Sequence, residues 1–327
     1  MPIIPPDFTT CPGQINPMPS LPDIIYLSTR ASPLAVAQAE MVRDALLHAH
    51  PTIEPDRIQL LTMTTTGDQI QDRTLMEAGG KGLFTKEIED ALIDSRASLA
   101  IHSMKDVPTE LPPGLVIDCL LPRADARDAF ISPEATSIDD LPQGAVLGTA
   151  SIRRQALVKR LRPDLEVIPF RGNVQTRLRK LRQGEAAATF LAVAGLDRLG
   201  NTEVITNVMD PEQMLPAVAQ GAIGIQRRTD DAAMAELLAP LNCSTTTACV
   251  SAERAMLAVL DGSCRTPIAG YALPDVTSGS LWLRGSITRP DGGYHREADI
   301  RGPMENAREL GYELGQILRP DLPLVQP

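Results

Sequence analysis

From Ile24 to Arg228, short β-branched or aliphatic runs alternate with stretches whose apolar residues recur every three or four positions. That alternation predicts parallel strands joined by crossover helices. In the first joint, the run 24–29 (IIYLST) passes through Arg30 and Ala31 to Ser32 as N-cap and Pro33 at the first helical position, with the helix reaching about His48. Arg30 is therefore expected in the turn. In the second, 145–150 (AVLGTA) passes at Ser151 into IRRQALVKRL, with Ile152, Ala156, Leu157 and Leu161 at helical spacing and Arg153 and Arg154 in the first turn. In the third, 166–170 (EVIPF) turns through Arg171, Gly172 and Asn173 into a helix carrying Arg177 and closing at Gly184. A further strand, 99–104 (LAIHSM), ends in Lys105 and Asp106 and is stopped by Val107 and Pro108. Strand carboxyl ends are where open α/β sheets bind ligands, so the four joints point into related crevices of two lobes.

The segment 64–82 is polar, glycine-bearing and long for a connection, which makes it a candidate lid. Phe84, Ile88 and Leu92 after it start an amphipathic helix. Beyond about Pro240 the pattern changes to a helix over 250–260, a Gly-Ser-Cys turn at 262–264, a half-buried strand over 281–288, and a turn at 289–293 into YHREADI. A last helix spans roughly 304–318, with Ala307, Leu310, Leu314 and Ile317 inward. The expected division is a Pro-rich disordered extension (1–22), an α/β domain (23–121 plus 216–239), a second α/β domain (122–215) and a small α+β domain (240–327).

A length of 327 residues suits two or three such domains. The 3% aromatic share argues against base-stacking surfaces, and the formal charge of -10 repels nucleic acid and anionic membrane. Neither nucleic acid nor membrane is an expected partner. The N-terminus lacks a basic start followed by an apolar stretch, and the five cysteines are odd in number and scattered, so a reduced, cytoplasmic setting is expected. No histidine is grouped with cysteines, and no metal is expected.

Against that acidic background, residues 151–182 carry ten Lys and Arg and two acidic residues. Cations in a helix's first turn oppose the macrodipole unless an anion sits there, so Arg153 and Arg154 point to a ligand with several carboxylates or phosphates. The plainer alternative is a solvated basic helix face, which is the reading for Lys159, Arg162, Lys180 and Arg182. Asp106 caps a turn on the plain reading; among arginines it suits a cationic intermediate or an amine proton. Cys264, beside Arg265 on a loop, differs from Cys119, Cys243 and Cys249, which read as packing residues. His102, within an apolar strand, reads as a hydrogen-bonded core histidine.

The joints match in order the motifs TRASPLAVAQAE, GGKGLFTKEIEDAL, HSMKDVPTELPPGL, GTASIRRQALV, FRGNVQTRL, LAVAGLDRLG, LPAVAQGAIGIQ and GSCRTPIAG. In these the chain resembles the porphobilinogen deaminase (hydroxymethylbilane synthase) family from Ile24 to about Tyr271. The resemblance implies two lobes like type II periplasmic binding proteins and a third small domain, in a protein that is usually monomeric. It implies a dipyrromethane cofactor held by a thioether to Cys264, the thiol serving as an anchor. Porphobilinogen, the substrate, would lose ammonia to give an azafulvenium cation, which the growing chain attacks. Four rounds and a hydrolysis would release hydroxymethylbilane, with a transient hand-off to uroporphyrinogen-III synthase. Asp106 would stabilise the cation. Arg30, Ser32, Lys81, Lys105, Ser151, Arg153, Arg154, Arg171, Arg177 and Arg198 would bind pyrrole carboxylates, and Phe84 would border the cofactor.

Two other classes stay in view. A non-catalytic anion-binding protein would want the same arginines, without needing Asp106 or Cys264. A cysteine-dependent hydrolase would need a histidine in a recognisable signature near the cysteine, which is missing.

Overall fold

The computed structural model describes residues 21–69, 82–260 and 267–319. Lys81, Cys264, most of the expected lid and nearly all of the expected extension lie outside the described residues.

The first lobe runs through β1 (Ile25–Arg30), α1 (Pro33–Ala49), β2 (Ile58–Met63), α2 (Thr66–Gln69), α3 (Lys86–Ile93), β3 (Leu99–Ser103) and β4 (Leu115–Leu120). The second follows with β5 (Asp128–Ile131), β6 (Val146–Gly148), α4 (Ile152–Leu161), β7 (Glu166–Ile168), α5 (Val174–Arg182), β8 (Ala188–Ala192), α6 (Val193–Arg198) and β9 (Asn207–Val208). The chain then returns through β10 (Ile223–Arg228) and α7 (Ala232–Leu238). A third unit holds α8 (Ser244–Val259), β11 (Ile268–Asp275), β12 (Ser280–Thr288), β13 (His295–Pro303) and α9 (Ala307–Leu318).

The two large sheets have the same plan: β2-β1-β3-β10-β4 and β7-β6-β8-β5-β9. In each, the first three strands are parallel and the fourth is antiparallel to both neighbours. That fourth strand borders a crossing: β5 opens the second lobe and β10 brings the chain back to the first. The lobes are thus structural relatives of the expected two-lobed α/β class. The crossings touch where Ala124 N donates to Gly221 O, at 3.3 Å. Gly221 has φ +89°, and a Cβ there would lie 2.5 Å from Ala124 O, so a side chain would force the crossings apart.

Each sheet is buried on both faces, which is why its strands read as continuous apolar runs. In the first, Ile25, Leu27, Leu99 and Ile101 pack under α1 and α7, while Ala100 faces Ile88, Ala91 and Leu92 of α3. The third unit is an antiparallel sheet, β11-β12-β13, on α8 and α9. Its core takes in Met104, Val107 and Leu120 of the first lobe, so it is packed against the strand end that carries Asp106.

The joints form as the pattern predicts. Ser32 Oγ accepts from Ala35 N with Pro33 at the helix start, Ser151 Oγ accepts from Arg154 N, and Asn173 Oδ1 accepts from Thr176 N. Gly184, at φ +76°, follows the end of α5.

Several details differ. Arg30 is the last residue of β1, paired with Met63, and not in the turn. Leu161 is 36% and Ile317 41% exposed; Val158 and Leu318 take the inward places, each four residues beyond an inward position. The 250–260 helix begins at Ser244, because tertiary burial of Thr246, Cys249 and Val250 overrides the weak helix preference of STTTACV. β11 had no counterpart in the pattern. Two members of the basic face are tied down: Lys159 Nζ donates to Leu165 O, and Arg162 to Ile138 O, Leu141 O and Asp164.

Candidate active site

Arg30, at the end of β1, has three neighbours. Its guanidinium forks onto Asp68 through Nε and Nη2, stacks 4.3 Å from the centroid of Phe84, and places Nη1 3.9 Å from Asp106 Oδ2. Asp68 also accepts from Thr65 Oγ1 at 2.7 Å. Against the cost of its burial, the hydrogen bonds from Arg30 and Thr65 hold Asp68 below the usual carboxylate range. Asp106 follows β3 in a single helical turn, its side chain 34% exposed. The loop behind it is held from α8: Arg254 Nη1 donates to Val107 O and Nη2 to Pro108 O.

Across the crevice, Arg153 and Arg154 are each only 5% exposed and share one fully buried carboxylate. Arg153 Nη2 donates to Asp128 Oδ2, and Arg154 donates to Asp128 Oδ1 from both Nε and Nη2. Burial alone would raise Asp128; the two guanidiniums and Gln220 hold it well below the ordinary carboxylate range. The anion that the first-turn arginines require is therefore supplied in part from inside the chain, a partner that sequence reasoning missed. Its signal was an aspartate opening the apolar run DAFI after a crossing.

Gln220, in the return crossing, connects the lobes. Its Nε2 donates to Asp128 Oδ1 at 2.9 Å and to Ala126 O, and Lys105 Nζ reaches its Oε1 at 3.4 Å. Lys105 is exposed to solvent, yet many protein atoms surround it between the two lobes. That crowding pushes its ammonium down to about 8; Asp106 and Asp128 oppose the shift, and Arg154 and Arg153 reinforce it.

Arg177 donates from Nε to Gly172 O and is lowered to about 10 by burial and by the charges of Arg154 and Arg171, with Asp106 opposing. An arginine of the second lobe is thus close enough to feel Asp106 of the first. Arg198 ends α6 and donates to Gly221 O at the crossing; burial lowers it to about 10. The structure brings Arg30, Lys105 and Arg177 within electrostatic reach of Asp106, with Phe84 on Arg30; Arg153 and Arg154 join them through Asp128 and Lys105, Arg171 through Arg177, and Arg198 is at the crossing. Ser32 and Ser151 act as helix caps within the same joints.

Residues 25–236 match the family model described as "Porphobilinogen deaminase, dipyromethane cofactor binding domain", and 247–319 match "Porphobilinogen deaminase, C-terminal domain". The chain belongs to the porphobilinogen deaminase family. A porphobilinogen deaminase of Paracoccus denitrificans (strain Pd 1222) is 52% identical over 302 residues, 92% of this chain and 96% of that one. The porphobilinogen deaminase of Nitrobacter hamburgensis is 51% identical over 293 residues, 90% of this chain and 92% of that one. Among solved structures, the methionine-binding protein MetQ matches with a TM-score of 0.43 at 11% identity, over 69% of this chain and 92% of that one. That last likeness is weak and says nothing about function.

The family's dipyrromethane carries carboxylate side chains, and the donors around Asp106 fit such a group. Among the described residues, seven cations (Arg30, Lys105, Arg153, Arg154, Arg171, Arg177 and Arg198) stand against four carboxylates (Asp68, Asp106, Asp128 and, beside Arg198, Asp197), a surplus that a polyanion would neutralise. Among the described residues, the Nε atoms of Arg153 and Arg198 are buried donors without a partner.

Lys105 gives the site a pH dependence. Its charged form, the one able to hold a carboxylate, is present below its lowered pKa and lost as pH rises through it. Primer binding by the cofactor-free protein, followed by calorimetry, is expected to weaken from about pH 8 upward. In Lys105→Arg that alkaline decline should disappear, since a guanidinium keeps its charge there; an unchanged profile would remove Lys105 from carboxylate binding.

Proposed function

We propose that this chain is a hydroxymethylbilane synthase, condensing porphobilinogen head to tail with loss of ammonia on a dipyrromethane primer anchored at Cys264. The observation that supports this best is a partly exposed carboxylate at a strand's carboxyl end, Asp106, within electrostatic reach of arginines from both lobes. A binding protein for carboxylates gains nothing from a negative charge there, whereas an enzyme that generates a cation does.

The bound primer supplies a pyrrole with a free α-carbon as the growing end. The chain's own side chains do the rest. Arg153, Arg154, Arg171 and Arg177 grip acetate and propionate groups through charge-assisted hydrogen bonds. Arg30 is held between Asp68 and Phe84, so its remaining donor is preorganised toward Asp106 and a substrate carboxylate. Asp106 accepts pyrrole N-H hydrogens through Oδ1 or Oδ2 and offsets the positive charge left when ammonia departs. Arg254, by fixing the carbonyls of residues 107 and 108, keeps that carboxylate in place.

The same reading assigns the cation-rich half of the crevice to domain 122–215, Asp106 to domain 23–121 plus 216–239, and the anchor to 240–327. It places the enzyme in the cytoplasm, handing its product to uroporphyrinogen-III synthase. No described helix is long and apolar enough to cross a membrane.

Intact-mass measurement tests the proposal directly. The wild type should carry the added mass of two pyrrole units, and Cys264→Ser should lack it and be inactive. An active wild type without that mass would remove the anchor from the mechanism.

A further inference from the structure

Beneath Asp106 lies a chain of buried polar side chains that carboxylate binding does not use. Thr85 Oγ1 and Gln226 Nε2 both donate to Glu89, at 3.1 Å each, and His102 Nε2 lies 2.7 Å from Gln226 Oε1. Thr85, Glu89, Gln226 and His102 are all buried, His102 to 4% exposure. They belong to three different elements, so the chain is set by the tertiary fold.

With Glu89 as a carboxylate, the chain has one consistent assignment. A carboxylate accepts, so Gln226 must turn its NH2 toward Glu89 and its carbonyl toward His102. The carbonyl also only accepts, so the His102 hydrogen is on Nε2. Complete burial lowers the ring's pKa to about 4, despite opposition from the Gln226 hydrogen bond and the Asp106 charge, so the ring is neutral at physiological pH. Nδ1 is then a bare acceptor, and it makes no hydrogen bond to a described residue.

His102 lines a recess of about 20 Å³ shared with Arg30, Gln38, Phe84, Ser103 and Asp106. A space above about 10–15 Å³ holds one water-sized molecule when polar partners are present. Several polar groups here are already engaged: Ser103 Oγ donates to Gln38 Oε1, and Arg30 is bound to Asp68. His102 Nδ1, beside the partly exposed carboxylate of Asp106, is an acceptor left over for an occupant.

We propose that this recess binds one small hydride, ammonia or water, which donates to His102 Nδ1 beside Asp106. The ammonia assignment rests on the deamination proposed above. In that reaction the substrate's aminomethyl group departs from its ammonium form: the C-N bond of CH2-NH3+ breaks and its electron pair leaves with nitrogen as NH3. The positive charge remains on the substrate carbon and its ring. The proton later lost from the chain's α-carbon converts ammonia to ammonium. A neutral acceptor beside the reacting carboxylate takes either form without adding charge to the crevice, and the Glu89-Gln226 pair locks that acceptor in its tautomer. Glu89 and Gln226 act through His102 as positioning residues.

The test is a long-range proton-nitrogen correlation spectrum of the holoprotein labelled with ¹⁵N-histidine. The expected result is a neutral His102 with hydrogen on Nε2, retained from about pH 8 to about pH 5, and an Nδ1 resonance displaced by a hydrogen bond. Ammonium chloride, set against potassium chloride at equal ionic strength, separates the two occupants. A further ammonium-specific shift identifies ammonia, and its absence with Nδ1 still hydrogen-bonded identifies water. Hydrogen on Nδ1, a protonated ring at about pH 6, or an Nδ1 resonance typical of a free lone pair overturns the site. None of these readings depends on turnover, so they fail separately from the proposed activity. His102→Gln keeps an N-H for Gln226 and lacks the Nδ1 acceptor. With ammonia as occupant, kcat should fall about tenfold, the worth of one hydrogen bond, at unchanged KM and cofactor load. Unchanged kcat in that folded, loaded variant overturns any part for the site in the reaction.

Discussion

Asp106→Asn is expected to lower kcat by about 10²–10⁴-fold, the usual worth of a group that stabilises developing charge or moves a proton in a transition state. The protein should remain folded and loaded with cofactor. The amide is nearly isosteric, and Asp106 is partly exposed, with a single 3.9 Å contact to Arg30 that Asp68 already holds more closely. Removing a negative charge from a site for carboxylates should leave KM unchanged or lower it. That split separates the proposed role from a structural one: a residue that only capped its turn would lose stability and leave kcat alone. Single-turnover kinetics on loaded protein provide the measurement. A kcat within a few-fold of wild type would exclude Asp106 from charge stabilisation.

The second large effect is on stability. Asp128→Asn should destabilise the second lobe by about 3–5 kcal/mol, because it leaves two guanidiniums buried without their shared counter-charge. The penalty has a pH signature. Asp128 is held below its unfolded value, so its contribution is complete above the ordinary carboxylate pKa of about 4 and is lost as pH falls below it. The wild type should therefore lose stability on acidification more steeply than Asp128→Asn does. Denaturant unfolding at several pH values measures both. Removing all three charges, with Arg153→Met and Arg154→Met added to Asp128→Leu, should recover part of the loss, since a missing ion cluster costs less than a broken one. Equal stability of wild type and Asp128→Asn would mean the arginines find another counter-charge.

Much of the architecture was legible in the chain because its signals are local. Ser32-Pro33, Ser151 and Asn173 cap helices through their own next three residues, and Gly184 ends one by accepting a left-handed conformation. The weaker readings fell where local preference and packing disagree. STTTACV is helical because α8 is buried by the third unit, and Ile317 is exposed because the inward stripe passes to Leu318. The cationic joints were visible as residues, and Asp128, Asp68 and Gln220, which organise them, were not. Asp128 is 25 residues from Arg153, and Gln220 is 92 residues from Asp128 and 115 from Lys105.

The sequence by itself determined the two α/β lobes with a third unit, the order of the motifs and hence the family, and the positions at strand ends where charged side chains collect. Helix caps, strand periodicity and turn residues act over a few positions, and they are written where they act. Only the tertiary structure decided that the lobes share their plan through crossing strands, that Asp128 neutralises the first-turn arginines, and that a buried amide fixes which nitrogen of His102 is bare. Those outcomes depend on distances between residues tens to more than a hundred positions apart, which burial and hydrogen bonding settle only once the chain is folded.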